Sequence, residues 1–195
     1  MTLAFSETLN DMPTAFVELI WRSLLRHNLA PVDAYNRAQS EYLAKFGQPW
    51  YNPVGLHPAG DIAKDHTIRR DENHRWQPGK MIHFIVNNRS PRRFQFAPLV
   101  PVVKVQPITF EWQWAITGAN WQERNVCTIT VEGRLLGTAR TDAETGKVMS
   151  ASPNVHTLAR RDGFKDVQGF LDYFKEDFRG RIIHWTNQWY DPSQN

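Results

Sequence analysis

From His66 to Ser150 the chain offers one β-prone run after another, separated by turns, and clear helical spacing occurs only outside that stretch. Strands joined by short turns pair antiparallel, because a parallel return requires a long crossover. His66–Arg69 is short and β-prone, Pro78-Gly79 forms a turn, and Lys80–Val86 is a strand. Pro101–Ile116 reads as one long strand or two, interrupted near Pro107. Asn125–Glu132 alternates cleanly and turns at Glu132-Gly133. Arg134–Thr141 and Gly146–Ser150 then form a hairpin about Asp142–Gly146. Cys127, inside the alternating strand, reads as a small sheet residue and not as a nucleophile.

Helical patterns flank this run. Phe16, Leu19, Ile20, Ser23, Leu24 and His27 recur at helical spacing after the turn at Pro13. A second helix spans 31–46 and stops at Gly47. Asp166–Phe178 carries the stripe Val167, Phe170, Leu171 and Phe174, with Gly180 as its stop, and Arg181–Thr186 reads as the last strand. With a short opening strand over Leu3–Thr8, the sum is an α+β fold. It comprises a mostly antiparallel sheet or small barrel flanked by helices, with an extended helical N-terminal region and a single domain over 1–195. A 41% hydrophobic content with 8 Trp excludes disorder as the main state. No stretch approaches the roughly 20 apolar residues of a membrane span. The N-terminus lacks a basic start and a continuous apolar run, and Cys127 is the one cysteine, so a reducing, cytoplasmic setting is expected. Between Gly47 and Asp61 the residues Pro49, Pro53, Gly55, Pro58 and Gly60 dictate a surface loop or flap, which Trp50 and Tyr51 pack down.

Charge is unevenly spread. Lys64, Arg69, Arg70, Arg75, Lys80, Arg89, Arg92 and Arg93 face only Asp65, Asp71 and Glu72 in their segment, which carries +5 in a chain of net +3. Such a segment is either a solvated loop face or a field for an anionic partner. In the second case Arg69, Arg70, Arg75, Arg89, Arg92 and Arg93 would track phosphates, and Trp76 or His74 would stack a base. The chain has no phosphate-binding Gly-Lys-Ser/Thr loop, no dinucleotide glycine fingerprint and no nucleophile elbow, so no cofactor is expected. His66, His74 and His83 lack the spacing of metal ligands, and no metal is expected either.

The most specific element is Lys64-x-x-Thr67-Ile68-Arg69. Strand alternation groups Lys64 with His66 and Ile68, so Lys64 can face Thr67 only if the strand begins after Asp65. Together with Trp76-x-x-Gly79 and its following strand, this element resembles the ASCH domain of the PUA-like β-barrel superfamily. Asp162-Gly163-Phe164, the helix with Phe170 and Phe174, the closing Ile182-Ile183-His184-Trp185 and the opening Pro13-Thr14-x-Phe16 are similar to the same family. The stretches 28–60 and 88–121 look like elaborations upon it.

The resemblance implies a small barrel whose cleft binds RNA, a nucleotide or a modified nucleoside. Some small bacterial members remove the acetyl group from acetylated cytidine. There a lysine, a threonine and a later glutamate serve as base, nucleophile and acid. Carried over, Lys64 would activate Thr67, Asp162 would take the third position, and Arg69 would hold an oxygen. Two departures stand out: Asp61-Ile62-Ala63 precedes Lys64 without the usual glycine, and an aspartate replaces the glutamate. The bland counterpart is that Thr67 supports its strand while Lys64 and Arg69 bind phosphate or a structural carboxylate. A third reading is a protein-interaction module using 47–61 or 88–121, since related proteins occur in phage and prophage reading frames.

Overall fold

A computed structural model describes residues 1–9, 12–52, 62–117 and 122–191. In chain order the elements begin with β1 (Thr2–Phe5), β2 (Thr8–Leu9), β3 (Met12–Pro13), α1 (Phe16–Arg26) and α2 (Val32–Phe46). They continue with β4 (His66–Arg69), β5 (Met81–Val86), β6 (Phe94–Gln95), β7 (Val100–Pro101) and β8 (Lys104–Thr117). Next come β9 (Gln122–Val131), β10 (Arg134–Asp142) and β11 (Val148–Ala151), and last α3 (Pro153–Arg161), α4 (Val167–Tyr173) and β12 (Phe178–His184). The architecture is mixed α+β, with four helices among the described residues and a curled antiparallel half-barrel sheet.

That sheet has the order β11-β10-β9-β8-β12-β4. A smaller sheet joins β1 to β5 in parallel, with β6 and β7 antiparallel to β5. β12 and β4 lie between two cores. Ile182 and Ile68 pack into one core with Ile129, Leu158, Phe170 and Phe110. Ile183 and Trp185 face the other, formed by Trp21, Leu24, Phe84 and Phe96. A strand buried on both faces reads as a continuous apolar run, which accounts for Ile182-Ile183 beside Trp185.

Several sequence expectations hold and others are corrected. β4 has the bounds the sequence predicts, and Gly47 caps α2 at φ +74. Pro107 does not divide its strand. The ladder to β9 begins one residue later, at Ile108↔Val131, so no hydrogen bond to β9 is asked of the missing Pro107 N–H. The helix expected over 166–178 ends at Tyr173, and Gly180 lies inside β12 and stops nothing. The Phe174 carbonyl accepts from Trp112 Nε1 at 2.9 Å and the Asp177 carboxylate accepts the Trp112 N–H at 2.7 Å, so tertiary bonds draw the chain out of the helix. Glycine is needed at 180 because a Cβ there would sit 2.6 Å from the Arg69 carbonyl oxygen. α3 was not anticipated, although Pro153 at its first turn is a start signal. β8, from the stretch expected to be an elaboration, is a central strand. Of the 47–61 loop, Trp50 is buried in the core and Tyr51 is exposed, and residues 53–61 lie outside the described set. Cys127 is buried in the sheet, with its thiol pushed up to about 12 by burial.

Candidate functional site

β4 starts at His66, one residue after Asp65, which is the condition for Lys64 to turn toward Thr67. Both then line one cavity of about 60 Å³ with Ser6, Leu9, Phe16, Ile68, Arg69, Asp162, Phe164 and Tyr173. The chain crossing that builds it is fixed by a backbone bond, Asp65 N–H to the Arg161 carbonyl at 2.8 Å. Lys64 and Asp162 line this cavity, while Asp65 and Arg161 line a second concavity.

Lys64 Nζ lies 2.7 Å from Asp162 Oδ1 and also donates to the Asp162 carbonyl. The ammonium lies over the Phe16 ring, 4.6 Å from its centroid. The lysine stem runs against Gly163, where a Cβ would come within 3.1 Å of Lys64 Cδ. Gly163 also has φ +85, so glycine is demanded there twice, by packing and by backbone conformation. Burial lowers Lys64 to about 8; the Asp162 carboxylate works against that shift without cancelling it. Burial likewise raises Asp162 above the usual carboxylate range, against the pull of Lys64 and the Ile68 N–H. Both partners therefore move toward their neutral forms, as expected where desolvation exceeds the Coulomb attraction of a buried pair.

The Thr67 side chain, 2% exposed, forms no hydrogen bond with another described residue. Arg69 Nη2 donates to the Ala4 carbonyl at 2.8 Å, its guanidinium lies over Phe5, and its Nε is buried without a partner among the described residues. Phe164 packs edge-on to Phe16 and Phe170 and lies beside Tyr173, completing an aromatic wall. Phe16, Phe164, Tyr173, Ser6 and Leu9 were not anticipated as site residues. The motif Asp162-Gly163-Phe164 was the available signal, since each of its members meets Lys64 or its cavity.

The other expected binding residues do not gather here. Trp76 is buried in the core at 6% exposure, so it is not a stacking platform at a rim. The reason is Asp71, whose carboxylate accepts the N–H groups of Trp76 and Arg75 at 3.0 Å each and folds the segment inward. Burial acts to raise Asp71, and those two bonds together with the Arg75 guanidinium outweigh it, leaving the carboxyl below its ordinary value. Arg75 is exposed and pairs with Asp71 at 3.6 Å. Arg70 lies over Phe178, and Arg92 over Phe46 at the end of α2. Arg89 and Arg93 are exposed, with Arg89 at φ +66. His74 contacts Arg181 and His83 contacts Gln95.

A second buried polar group was not anticipated. His66 and His184 are directly opposite in the β4–β12 ladder, their rings 5.2 Å apart, and the Tyr190 ring lies 5.6 Å from that of His66. Gln106 holds Tyr190 in place through its backbone, donating to the carbonyl at 2.7 Å and accepting the N–H at 2.9 Å. All four imidazole nitrogens are buried without a hydrogen-bond partner among the described residues. Burial lowers His184 to about 3 and holds His66 well below its ordinary value.

No family model matches the chain, and no curated protein or solved structure matches it.

Proposed function

We propose that the chain binds a nucleoside or nucleotide at the Lys64 cavity, at the mouth of a PUA-like barrel of ASCH type. The observation that carries this is the convergence of Lys64, Thr67, Arg69 and Asp162 on one cavity walled by Phe16, Phe164 and Tyr173. A cavity of about 60 Å³ has room for roughly two waters at their liquid volume. It therefore admits the polar edge of a base, and not the whole ring, and leaves the ring to the aromatic wall. Lys64 and Arg69 supply donors, Asp162 an acceptor and Thr67 either. Of the arginines in the basic segment only Arg69 lines the cavity, so a small ligand is favoured over a long phosphate-tracking face. Calorimetric titration with nucleosides, mononucleotides and short single-stranded RNA tests this. Saturable binding of a small ligand is expected, weakened at least tenfold by Arg69→Gln and Thr67→Val; no binding across the panel would refute it.

One observation favours a hydrolytic use of the same cavity: an amine lowered to about 8 lines it together with a hydroxyl that has no described partner. Neutral Lys64 would take the Thr67 proton as Oγ bonds to the acyl carbon of an acylated pyrimidine nucleoside. The C–N bond would then break, with the proton passing from Lys64 to the leaving amine, and water would hydrolyse the threonyl ester to release the carboxylic acid. Acetate release from acetylated cytidine measures this. Turnover abolished by Thr67→Val is the expected result, and turnover unchanged in that variant excludes the mechanism.

A further inference from the structure

β8 and β9 run beyond the sheet that holds them. β12 accompanies β8 only from His184↔Lys104 to Phe178↔Phe110, whereas the pairing of β8 with β9 continues to Thr117↔Gln122. Where β12 ends, a recess of about 370 Å³ opens beside β8, between Glu111, Trp112, Gln113, Asp177 and Arg179. From there the outer edge of β8 has no strand partner among the described residues. We propose that this edge pairs with the same edge of a second copy of the chain, antiparallel about a two-fold axis at Ala115.

Which backbone groups lie on that edge follows from the ladder. The Glu132 N–H donates to the Pro107 carbonyl at 2.9 Å, so odd-numbered residues of β8 direct their backbone polar groups to β9 and even-numbered ones direct theirs away from it. Trp112 fits this parity, since its N–H is accepted by Asp177 Oδ1 at 2.7 Å, on the side of β12. Trp114 and Ile116 come next, and their N–H and C=O groups have no backbone partner among the described residues. The molecule covers its other sheet edges with side chains of its own. The Asp162 carboxylate accepts the Ile68 N–H on β4, and Gln168 Oε1 accepts the Val148 N–H on β11 at 2.8 Å. Open edges are ordinarily protected by charges, proline or bulges. From Trp112 to Thr117 there is no charge, no proline and no register shift, and Trp114 is 59% exposed.

The edge is its own complement. A two-fold axis at Ala115 sets Trp114 opposite Ile116, Gln113 opposite Thr117 and Ala115 opposite itself, so no charge faces a charge. Trp114 and Ile116 then exchange both bonds of a hydrogen-bonded pair, twice over, which engages every free N–H and C=O of the two residues. The Trp112 N–H stays with Asp177. An axis at Trp114 would instead set Trp112 opposite Ile116 and compete with the Asp177 carboxylate for that N–H. The acidic residues, Glu111 and Asp177, lie outside the paired stretch. The two copies' Trp112 positions, which Asp177 marks, are about 20 Å apart at ~3.4 Å per residue, too far for strong repulsion in salt.

The edge uses none of the residues of the Lys64 cavity, so the two readings can fail separately. Sedimentation velocity of the full chain over a concentration series is the first test, and a reversible monomer–dimer equilibrium is expected. Ile116→Pro removes an N–H that the β8–β9 ladder does not use, and proline is tolerated at a strand edge, so the variant should stay folded. It is expected to raise the dimer dissociation constant at least tenfold. The second test reads the register without weakening the pair. Residues facing each other in a non-hydrogen-bonded pair have Cα atoms about 4.5 Å apart, within the ~4.4–6.8 Å range of disulfides. Ala115→Cys should therefore form an intermolecular disulfide on mild oxidation, seen on a non-reducing gel. Gln113→Cys, four residues out of register with its own copy, should not, and the native Cys127, present in both variants, is buried. The proposal is overturned if the wild-type chain stays monomeric up to its solubility limit, if a dimer forms that Ile116→Pro leaves unchanged, or if Gln113→Cys cross-links as well as Ala115→Cys.

Discussion

Acid should destabilise this protein well above the range in which carboxylates titrate, through His66 and His184. The His184 imidazole falls from an ordinary 6.5 to about 3 because it is buried, with Lys104 and Arg161 adding to the shift. A lowered histidine means that the unfolded chain binds protons that the folded one does not, so stability falls with pH below about 6.5. At about pH 4.5 the gap is two pH units from the unfolded value, or about 2.7 kcal/mol from His184 alone. His66 adds in the same direction. Against a typical total of about 5–15 kcal/mol this is a large loss. Asp71, held low, begins to contribute only near and below its ordinary 3.8, outside this window. Asp162, held high, works the other way, gaining stability as pH falls through its folded value. Urea unfolding followed by tryptophan fluorescence, run from about pH 7.5 to 4.5 on wild type and His184→Gln, isolates the histidine because the carboxylates are common to both. The variant is expected to lose about 2–3 kcal/mol less over that range. Identical slopes in the two proteins would refute the assignment.

On the alkaline side, Lys64 is lowered from 10.5 to about 8, so the unfolded chain again binds the extra proton and stability should rise by about 2 kcal/mol between about pH 7.5 and 9.5. The same urea series should show this rise in wild type and its absence in Lys64→Met. Gly163→Ala should cost about 1–3 kcal/mol, since a Cβ would press on the Lys64 stem at a left-handed backbone position; thermal unfolding measures it. Gly180→Ala should cost a similar ~1–3 kcal/mol, because the Cβ meets the Arg69 carbonyl, a backbone atom that cannot swing aside. Phe84→Ala, at a fully buried ring packed on Trp185 and Phe5, should cost about 3–5 kcal/mol in the same assay.

Much of this architecture was legible because local signals and tertiary demands agree. His66–Arg69 is a strand by residue type and is also largely buried where it pairs with β12 at the edge of the sheet. Glu132-Gly133, at φ +54 and +77, is the turn its sequence announces. Where they disagree, packing decides. The 166–178 pattern promised more helix than forms, because Trp112 takes the Phe174 carbonyl and Asp177. Trp76 looked available for stacking because nothing in its neighbours shows that Asp71 pulls its backbone inward. The Lys64–Thr67–Asp162 cavity was legible as a motif, but its aromatic wall and the 98-residue separation of its ion pair are properties of the chain crossing at Asp65 and Arg161. The facing of His66 and His184 depends on a strand register that no local pattern encodes.

The claim that the Lys64 cavity takes the edge of a base is tested most directly at Thr67 itself. In a methyl-resolved NMR titration with cytidine, acetylated cytidine and their monophosphates, the Thr67 methyl signal is predicted to shift along the same saturation curve as ligand binding, while the methyl of Thr109, on the strand β8, stays still. A ligand that saturates the protein without moving the Thr67 resonance, or a resonance unmoved by every member of the series, contradicts it.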